Sequence, residues 1–300
     1  MKLKNLFAAI AAGAMLFSLA GCSGGTSSAS SDASSAADSS ASTAGESSAA
    51  EDTTAAGGIL KVGVKDAVKG FGFKDPLSGE YEGMEIELAK KIADSLGYDD
   101  VEFTTVTAAT RTELLDSGDL DCVLATFTIT EERKKSWDFS TPYYTDAVTV
   151  LVEKADGITD LSGLVGKKVG VSTGSTSAYA LVKAMTEKGL LGDYALPETS
   201  ADFDISSFDV EGTTFEQFGD YPAISNAMTA GTVDAFCVDK SILATYKSDD
   251  RDYITDTFSP QEYGVATKKD SPLSAKIDDL IKGWLEDGTV DELIAQFGLN

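Results

Sequence analysis

The chain has 300 residues, a formal net charge of −25 and no histidine. The lack of histidine excludes Ser-His-Asp and Cys-His catalysis and any metal site built on imidazole ligands. The excess of negative charge disfavours nucleic acid or an anionic surface as a partner, although it does not fix the charge of a local pocket.

Residues 1–21 have the pattern of an export signal. Lys2 and Lys4 precede an apolar run of about fifteen residues, which is too short to span a bilayer and is followed by a polar tract. We therefore expect residues 1–21 to be removed, and the loss of the two lysines makes the net charge about −27.

The end of this signal, Leu19-Ala20-Gly21-Cys22, resembles the lipobox of bacterial lipoproteins. The resemblance implies that Cys22 becomes the first residue and that its thiol receives a diacylglycerol. Several acyl chains together hold a protein stably on a membrane, whereas one chain does so only marginally. The alternative is an ordinary secretory signal with an incidental cysteine.

A polar tract follows, and with Cys22 it makes up residues 22–57. Between residues 23 and 57 there are twelve Ser, ten Ala and five acidic residues, with no aromatic or large aliphatic side chain. Such a segment cannot bury enough surface to offset its ordering entropy. We predict a disordered tether with a root-mean-square span of roughly 30 Å.

From residue 58 onward the sequence alternates between strand and helix patterns. Short apolar runs predict strands, and apolar residues at helical spacing predict the helices between them, the first of which stops at Gly97. This succession predicts a mostly parallel sheet with flanking helices. The segments in order are ILKVGV, MEIELAKKIADSLG, VEFTTV, TRTELLDSGD and LDCVLATF.

The same succession begins again at strand 168–171, which leads through a Gly/Ser/Thr turn into a helix. Further on, AISNAMTAGTVDAFCVDKSILATY repeats the helix, glycine, aspartate and strand order of RTELLDSGDLDCVLATFTIT. When the two stretches are aligned at Gly118 and Gly231, each has an aspartate three residues later, Asp121 and Asp234. We therefore predict two lobes built alike.

Residues 258–300 carry one predicted strand and two helices but no parallel unit of their own. We expect them to return to the first lobe, so that lobe 1 combines 58–150 with 258–300 and lobe 2 is 151–257. Two crossings between lobes make a hinge. No apolar run after the signal is long enough to span a membrane. Cys122 and Cys237 lie in apolar runs and are expected to be core residues, not a disulfide.

Thr126, Thr128 and Arg133 follow an apolar run in the first lobe. We expect the strand to end near Thr128, with both threonines on one face because side chains alternate along a strand. Ligands bind at the carboxyl ends of parallel strands. A guanidinium grips a carboxylate at two points, and hydroxyls serve a carboxylate or an ammonium group, so the three residues predict an amino-acid site. The alternative is that Arg133 pairs with Glu131 or Asp138 in solvent.

Polar residues also follow two strands of the second lobe. Ser175 and Thr176 lie in the turn after strand 168–171, where backbone N–H groups and hydroxyls are available to an anion. The turn lacks the Gly-Lys-Ser/Thr element of a phosphate loop, and a plain helix cap is the alternative. Asp239 ends the matching strand, where it either faces Arg133 across the cleft and binds an ammonium group or is an ordinary loop acid.

Over nearly all of residues 59–299 the chain resembles the family 3 extracellular solute-binding proteins of polar amino-acid ABC transporters. The resemblance implies a type II periplasmic-binding-protein-like α/β fold of two lobes joined by two hinge crossings. It also implies closure on one amino acid, which is then presented to a membrane permease. The stretches that carry the resemblance are KVGVKDAVKGFGFKDPLSGEYEGMEIELAKKIA, TFTITEERKKSWDFSTPYY, TAGTVDAFCVDKSIL and YGVATKKD.

The resemblance assigns roles to the polar residues. Arg133 would bind the ligand α-carboxylate with help from Thr128 and from the turn at Thr176. Thr126 and Asp239 would hold the α-ammonium group.

The sequence departs from the commonest family pattern after the first strand, where Lys65 replaces an acid and Val68 replaces an aromatic residue. Together with Arg111, this resembles the branch that binds glutamate, aspartate or glutamine. Two extra cations favour a side-chain carboxylate, since a buried unpaired cation is costly. The alternative is that they pair with Asp66 or Glu113 and leave a neutral ligand.

The predicted function is a monomeric, lipid-anchored receptor on the extracellular face of the cytoplasmic membrane, or its periplasmic side if there are two membranes. It captures glutamate or aspartate first and glutamine next, without catalytic residues, metal or other cofactor, and serves an ABC permease. A ligand sensor and a dehydratase-type enzyme on the same fold are the alternatives. The acidic stretch 187–222 is longer than usual for the family, and its role stays open.

Overall fold

The computed structural model describes residues 57–299. The predicted export signal, the lipidation site Cys22 and nearly all of the predicted tether lie outside the described residues. Within them the chain forms fifteen strands and eight α-helices, with two 3-10 turns at Lys154–Asp156 and Leu161–Leu164.

The strands are, in chain order, β1 (Ile59–Val64), β2 (Ala67–Val68), β3 (Gly72–Lys74), β4 (Tyr81–Glu82), β5 (Asp100–Thr105), β6 (Cys122–Leu124), β7 (Trp137–Phe139), β8 (Tyr144–Glu153), β9 (Lys168–Ser172), β10 (Asp209–Val210), β11 (Thr213–Phe218), β12 (Ala235–Asp239), β13 (Arg251–Tyr253), β14 (Phe258–Tyr263) and β15 (Ala266–Lys268). The helices are α1 (Met84–Leu96), α2 (Arg111–Ser117), α3 (Glu131–Lys134), α4 (Ser177–Glu187), α5 (Tyr221–Thr229), α6 (Lys240–Leu243), α7 (Pro272–Glu286) and α8 (Thr289–Gln296).

The first sheet has the strand order β5-β1-β6-β15-β7, and we call it and the helices packed on it lobe 1. Strands β5, β1 and β6 are parallel, with Val62 opposite both Phe103 and Cys122, while β15 is antiparallel to its neighbours. Helix α1 covers this sheet because its apolar residues recur at helical spacing, and it ends at Gly97 as predicted. A small sheet of β2, β3 and β4 joins lobe 1.

The second sheet has the order β10-β11-β9-β12-β8-β13, with β14 also paired to β8, and we call it lobe 2 together with α4, α5 and α6. Its central strands β11, β9 and β12 are parallel, and β8 is antiparallel to its three partners. The two α/β lobes are therefore confirmed. Both sheets are mixed, because β8 and β15 run against the parallel strands beside them.

Two antiparallel segments connect the lobes. The chain enters the second sheet at β8 and leaves it after β14, and these strands pair from Tyr144 opposite Tyr263 onward. The second sheet thus extends to both sides of the range 151–257. Where the lobes divide, and whether these segments act as a hinge, stay predictions.

The aligned aspartates have the same partner in each lobe. The Asp121 carboxylate accepts a hydrogen bond from the Lys61 N–H at 2.8 Å, and the Asp234 carboxylate accepts one from the Lys168 N–H at 2.7 Å. In both cases an acid just before one strand holds the start of a neighbouring parallel strand. The similarity that the sequence repeat predicted is therefore present in the fold.

The strand before Arg133 is shorter than predicted. β6 ends at Leu124, and Thr126 has a φ of 45°, in the left-handed region that β-branched residues rarely adopt. Its N–H turns out of the sheet to the carboxylate of Glu85 at 2.6 Å. Strand alternation therefore does not relate Thr126 to Thr128, and that part of the prediction is wrong.

Some sequence expectations concern membrane segments, metals and cysteines. None of the helices between residues 57 and 299 is both long and apolar enough to cross a membrane. Nor do three or more Cys, Asp or Glu side chains in that range converge as a metal site. Cys122 on β6 and Cys237 on β12 are buried and free.

Candidate functional site

Arg133 reaches from lobe 1 to lobe 2. It lies in α3, whose first turn is capped by the Thr130 hydroxyl, which accepts from the Arg133 N–H at 3.1 Å. Its Nη1 donates to the Thr128 carbonyl at 2.7 Å, and its Nη2 donates to the Gly174 carbonyl at 3.2 Å. The guanidinium therefore lies where the carboxyl-terminal edges of the two sheets meet.

The alternative partners of Arg133 are occupied elsewhere. Glu131 pairs with Lys134 at 2.8 Å, and Asp138 pairs with Lys269 at 2.7 Å. Arg133 makes no ion pair with either acid in the described part of the chain. The hypothesis of an ordinary surface ion pair for Arg133 is excluded.

Asp239 is an acid of lobe 2 that interacts electrostatically with Arg111 and Arg133. It ends β12, is buried, and accepts a hydrogen bond from the Tyr263 hydroxyl at 2.6 Å. Burial and the nearby Asp146 raise the pKa of Asp239 to about 7, against the lowering effect of the Tyr263 hydrogen bond, Arg111 and Arg133. A buried carboxyl that is about half protonated at pH 7 becomes fully ionised when a cation binds beside it.

Thr128 and Thr176 lie on opposite lobes and share one acceptor. The Thr128 hydroxyl donates to Gln261 Oε1 at 2.8 Å, and the Thr176 hydroxyl donates to the same oxygen at 3.0 Å. Gln261 belongs to β14, so a connecting strand links both lobes at this point. Ser175 has a different neighbour, because its hydroxyl accepts from the Ser177 N–H at 3.4 Å in the first turn of α4.

Lys65 and Arg111 are both buried in lobe 1. The Lys65 ammonium lies 5.2 Å from the ring centroid of Tyr221, on lobe 2. The Arg111 guanidinium stacks 3.6 Å from the centroid of Phe127, and its Nη1 donates to the Ala125 carbonyl at 2.9 Å.

Lys65 and Arg111 do not form the ion pairs that the sequence analysis gave as the alternative. Among the described residues Lys65 and Arg111 form no salt bridge with Asp66, Glu113 or any other acid within 4.0 Å. Burial and the nearby Arg111 lower the pKa of Lys65 to about 7. Burial lowers the pKa of Arg111 to about 10, and burial with the proximity of Arg111 lowers that of Arg133 to about 9.

Glu85 is a titratable residue of this region that the sequence analysis did not find. It lies in the first turn of α1 and is fully buried. Its Oε1 accepts from the Thr126 N–H and from the Tyr143 hydroxyl, both at 2.6 Å. Burial raises its pKa, while the two hydrogen bonds and the charges of Lys65 and Arg111 lower it. Glu85 thus holds Thr126 in its strained conformation, and its carboxyl group interacts electrostatically with Lys65 and Arg111.

The sequence carried no clear signal for Glu85. Acidic residues are common in the first turn of a helix, where they face the positive end of its dipole, and Glu87 is an ordinary example that pairs with Lys90. Glu85 differs only by facing inward, at a position beside the apolar residues Met84 and Ile86.

The chain is similar to known proteins in both sequence and fold. The model of the bacterial extracellular solute-binding proteins, family 3, matches residues 60–300. The ABC transporter glutamine-binding protein GlnH of Bacillus subtilis is 33% identical over 237 residues, which cover 77% of this chain and 78% of that protein. The glutamine-binding protein of Geobacillus stearothermophilus is 32% identical over 219 residues, covering 71% and 74%.

A solved structure of an ancestral arginine-binding protein bound to arginine also has this fold. It superposes with a TM-score of 0.66 at 32% identity and covers 80% of this chain and 98% of that chain.

Proposed function

Because the chain belongs to the bacterial extracellular solute-binding proteins, family 3, we propose that it captures one polar amino acid between its lobes and delivers it to an ABC-transporter permease. The observation that carries the proposal is that Arg133 of lobe 1 bonds to the Gly174 carbonyl of lobe 2, while the charge of Asp239, at the end of β12 in lobe 2, also acts on Arg133. A cation and an acid on opposite lobes match the two charges of one zwitterion.

In this proposal Arg133 binds the α-carboxylate and Asp239 the α-ammonium group. Thr128 and Thr176 would turn their hydroxyls, which donate to Gln261 in the free protein, toward the ligand carboxylate. A ligand that bridges both lobes binds the closed form better than the open form and therefore shifts the population toward closure. Thr126 supports the site indirectly, through its hydrogen bond to Glu85. Ser175 supports it by shaping the turn that carries Thr176.

For the ligand side chain we propose glutamine first and glutamate second. Lys65 and Arg111 are buried and Arg133 is partly buried, and a pKa of about 7 leaves Lys65 only partly charged. The partial charge of Lys65 lowers the positive charge that favoured glutamate or aspartate on sequence grounds. Two relatives named for glutamine then favour the amide.

Isothermal titration calorimetry tests the proposal with glutamine, glutamate, aspartate, arginine and cystine. We expect saturable heat with glutamine at micromolar affinity, which corresponds to about −8 kcal/mol. Glutamate should bind more weakly, and arginine should bind least because its side chain adds a fourth cation. Absence of heat with every amino acid would contradict the proposal, and conversion of the ligand would favour a dehydratase-type enzyme.

We also propose that an acylated Cys22 anchors the protein outside the cytoplasmic membrane and that it acts as a monomer. The lipobox-like sequence that ends at Cys22 supports the anchor. Labelling of cells with a palmitate analogue should mark the wild-type protein but not Cys22→Ser. Equal labelling of both would contradict the anchor, and uptake unchanged by deletion of the gene would favour a sensor over a transport receptor.

A further inference from the structure

We propose that Thr245 and Tyr246 of lobe 2 form a latch on residues 67–69 of lobe 1, and that this latch strengthens the binding of every ligand by stabilising the closed form. The inference rests on the proposed function, because it concerns closure of the lobes on the amino acid bound there. Both residues act through the arrangement of the lobes and are therefore positioning residues.

The latch consists of two hydrogen bonds between the lobes. The Tyr246 hydroxyl donates to the Ala67 carbonyl at 2.9 Å, and the Thr245 hydroxyl accepts from the Lys69 N–H at 3.1 Å. Each bond joins a side chain that follows α6 in lobe 2 to the backbone of β2, or of the residue after it, in lobe 1. Separation of the lobes at this point must break both bonds.

Residues 67–69 are held within lobe 1. Ala67 pairs with Phe73 in the hairpin of β2 and β3. In the turn of that hairpin, the Gly70 carbonyl accepts from the Met84 N–H, at the start of α1, at 2.7 Å. Because α1 covers the first sheet, this segment moves with lobe 1.

The other end of the latch is held within lobe 2. The Tyr246 ring centroid lies 5.5 Å from that of Phe236 on β12, and the Tyr246 N–H donates to the Leu243 carbonyl of α6 at 2.9 Å. Burial raises the pKa of the Tyr246 hydroxyl, which therefore stays a donor at neutral pH. Since each end is fixed to a different lobe, opening of the cleft should cost both hydrogen bonds.

The latch lies outside the proposed ligand site. Lys69 and Thr245 line a pocket of about 590 Å³, and Arg133, Asp239 and Lys65 are not among the described residues that line it. Its bonds therefore distinguish the closed form from the open form, not one ligand from another. Loss of the latch should weaken all ligands by the same factor, because it lowers the population of the form that binds them.

The experiment measures the dissociation constants of glutamine and glutamate by calorimetry for the wild-type protein, Tyr246→Phe and Thr245→Val. Both replacements keep nearly the same shape and remove one hydroxyl. Since one hydrogen bond changes an equilibrium constant by about fivefold, each variant should weaken both ligands by about that factor. The ratio of the two dissociation constants should stay unchanged.

Tyr179→Phe is the matched control. The Tyr179 hydroxyl also donates to a backbone carbonyl, that of Pro197 at 2.8 Å, but this bond lies within lobe 2. The control should lose a similar unfolding free energy in chemical denaturation and keep the wild-type affinities. The comparison thus separates a loss of closure from a loss of stability.

The outcomes separate this inference from the proposed function. Unchanged affinities in both Tyr246→Phe and Thr245→Val, or a loss confined to one ligand, would overturn the latch while amino-acid binding stands. An equal loss of affinity in Tyr179→Phe would also overturn it, because the effect would then follow stability and not closure. A wild-type protein that binds no amino acid would overturn the proposed function itself.

Discussion

At the scale of single residues, the charges of the candidate site come from a few side chains, some of which could be predicted from the sequence. Arg133 and Asp239 could be predicted from the sequence because each follows an apolar strand run, and strands of two similar lobes end at the same cleft. In the fold the charge of Asp239 acts on Arg133, and the roles of both residues toward a ligand stay predictions. Glu85 could not be predicted, since its burial depends on how α1 packs over Thr126.

Replacing Arg133 by methionine should weaken every amino-acid ligand by roughly 100-fold or more, or about 2.8 kcal/mol. The loss should not depend on the side chain of the ligand, because Arg133 is proposed to bind the α-carboxylate. The melting temperature of the free protein should stay unchanged or rise, since burial and Arg111 disfavour the charge of Arg133. Calorimetry and thermal melting measure the two effects.

Lys134→Ala is the control for Arg133→Met. Lys134 is the next residue in α3 and pairs with Glu131 at the surface, where an ion pair contributes little. Equal binding losses in the two variants would count against the α-carboxylate role.

The pKa of Asp239 leads to a prediction of how glutamine binding depends on pH. In the free protein its pKa is raised to about 7, and the ligand ammonium should lower it. Binding must then release a proton below pH 7, so the affinity should fall as pH falls, approaching tenfold per pH unit. Titrations between pH 5.5 and 8 measure the slope, which should flatten in Asp239→Asn. An affinity that is constant over this range would show that Asp239 does not bind the ammonium group.

At the level of elements, the turn between β9 and α4 of lobe 2 lies close to the backbone of lobe 1. Gly174 in this turn has a φ of 78°, and a Cβ there would lie 2.8 Å from the Ala108 carbonyl oxygen of lobe 1. Gly174→Ala should therefore hinder closure and weaken glutamine binding about tenfold or more, in addition to the cost of the left-handed conformation.

Gly166→Ala separates the two effects. Gly166 has nearly the same φ, 77°, but its nearest contact would be an ordinary 3.8 Å from the Glu211 carbonyl. Both variants should lose about 1 kcal/mol of unfolding free energy, and only Gly174→Ala should lose affinity. Chemical denaturation and calorimetry together give both values, and equal affinities would argue against close approach of the lobes at this turn.

Most elements could be predicted from the sequence because periodicity and caps agree. Helix α1 ends at Gly97, and β9 leads into α4, as the patterns indicated. The end of β6 could not be predicted, because the apolar run continues to Phe127 while the backbone departs at Thr126. A distant carboxylate, not the local sequence, sets that departure.

The acidic stretch 187–222 gains a structural description but no function. Its loop packs through aromatic rings of Tyr194, Phe203 and Phe208, and the Tyr179 hydroxyl of α4 donates to the Pro197 carbonyl at 2.8 Å. Glu198 lines a groove of about 390 Å³ together with residues of α3 on lobe 1. The stretch therefore packs on lobe 2 and reaches the edge of lobe 1.

For the whole molecule, the central claim is that two lobes recognise the two charges of one amino acid. The claim is supported by the paired connecting strands, which leave each lobe its own sheet, by the hydrogen bond from Arg133 to Gly174 across the lobes, and by the electrostatic interaction of Arg133 with Asp239. Sequence repeats could predict the two lobes, because each lobe repeats the helix, glycine, aspartate and strand order. How closely the two lobes lie in the structure depends on contacts between residues far apart in the sequence, which no single stretch predicts.

The most direct test is calorimetry of the purified protein with glutamine and two analogues, one lacking the α-amino group and the other lacking the α-carboxylate. We predict saturable binding of glutamine and losses of about 100-fold or more for each analogue, because Asp239 or Arg133 is then left unpaired in a buried site. Equal affinity for all three compounds would contradict recognition of a zwitterion by groups from both lobes.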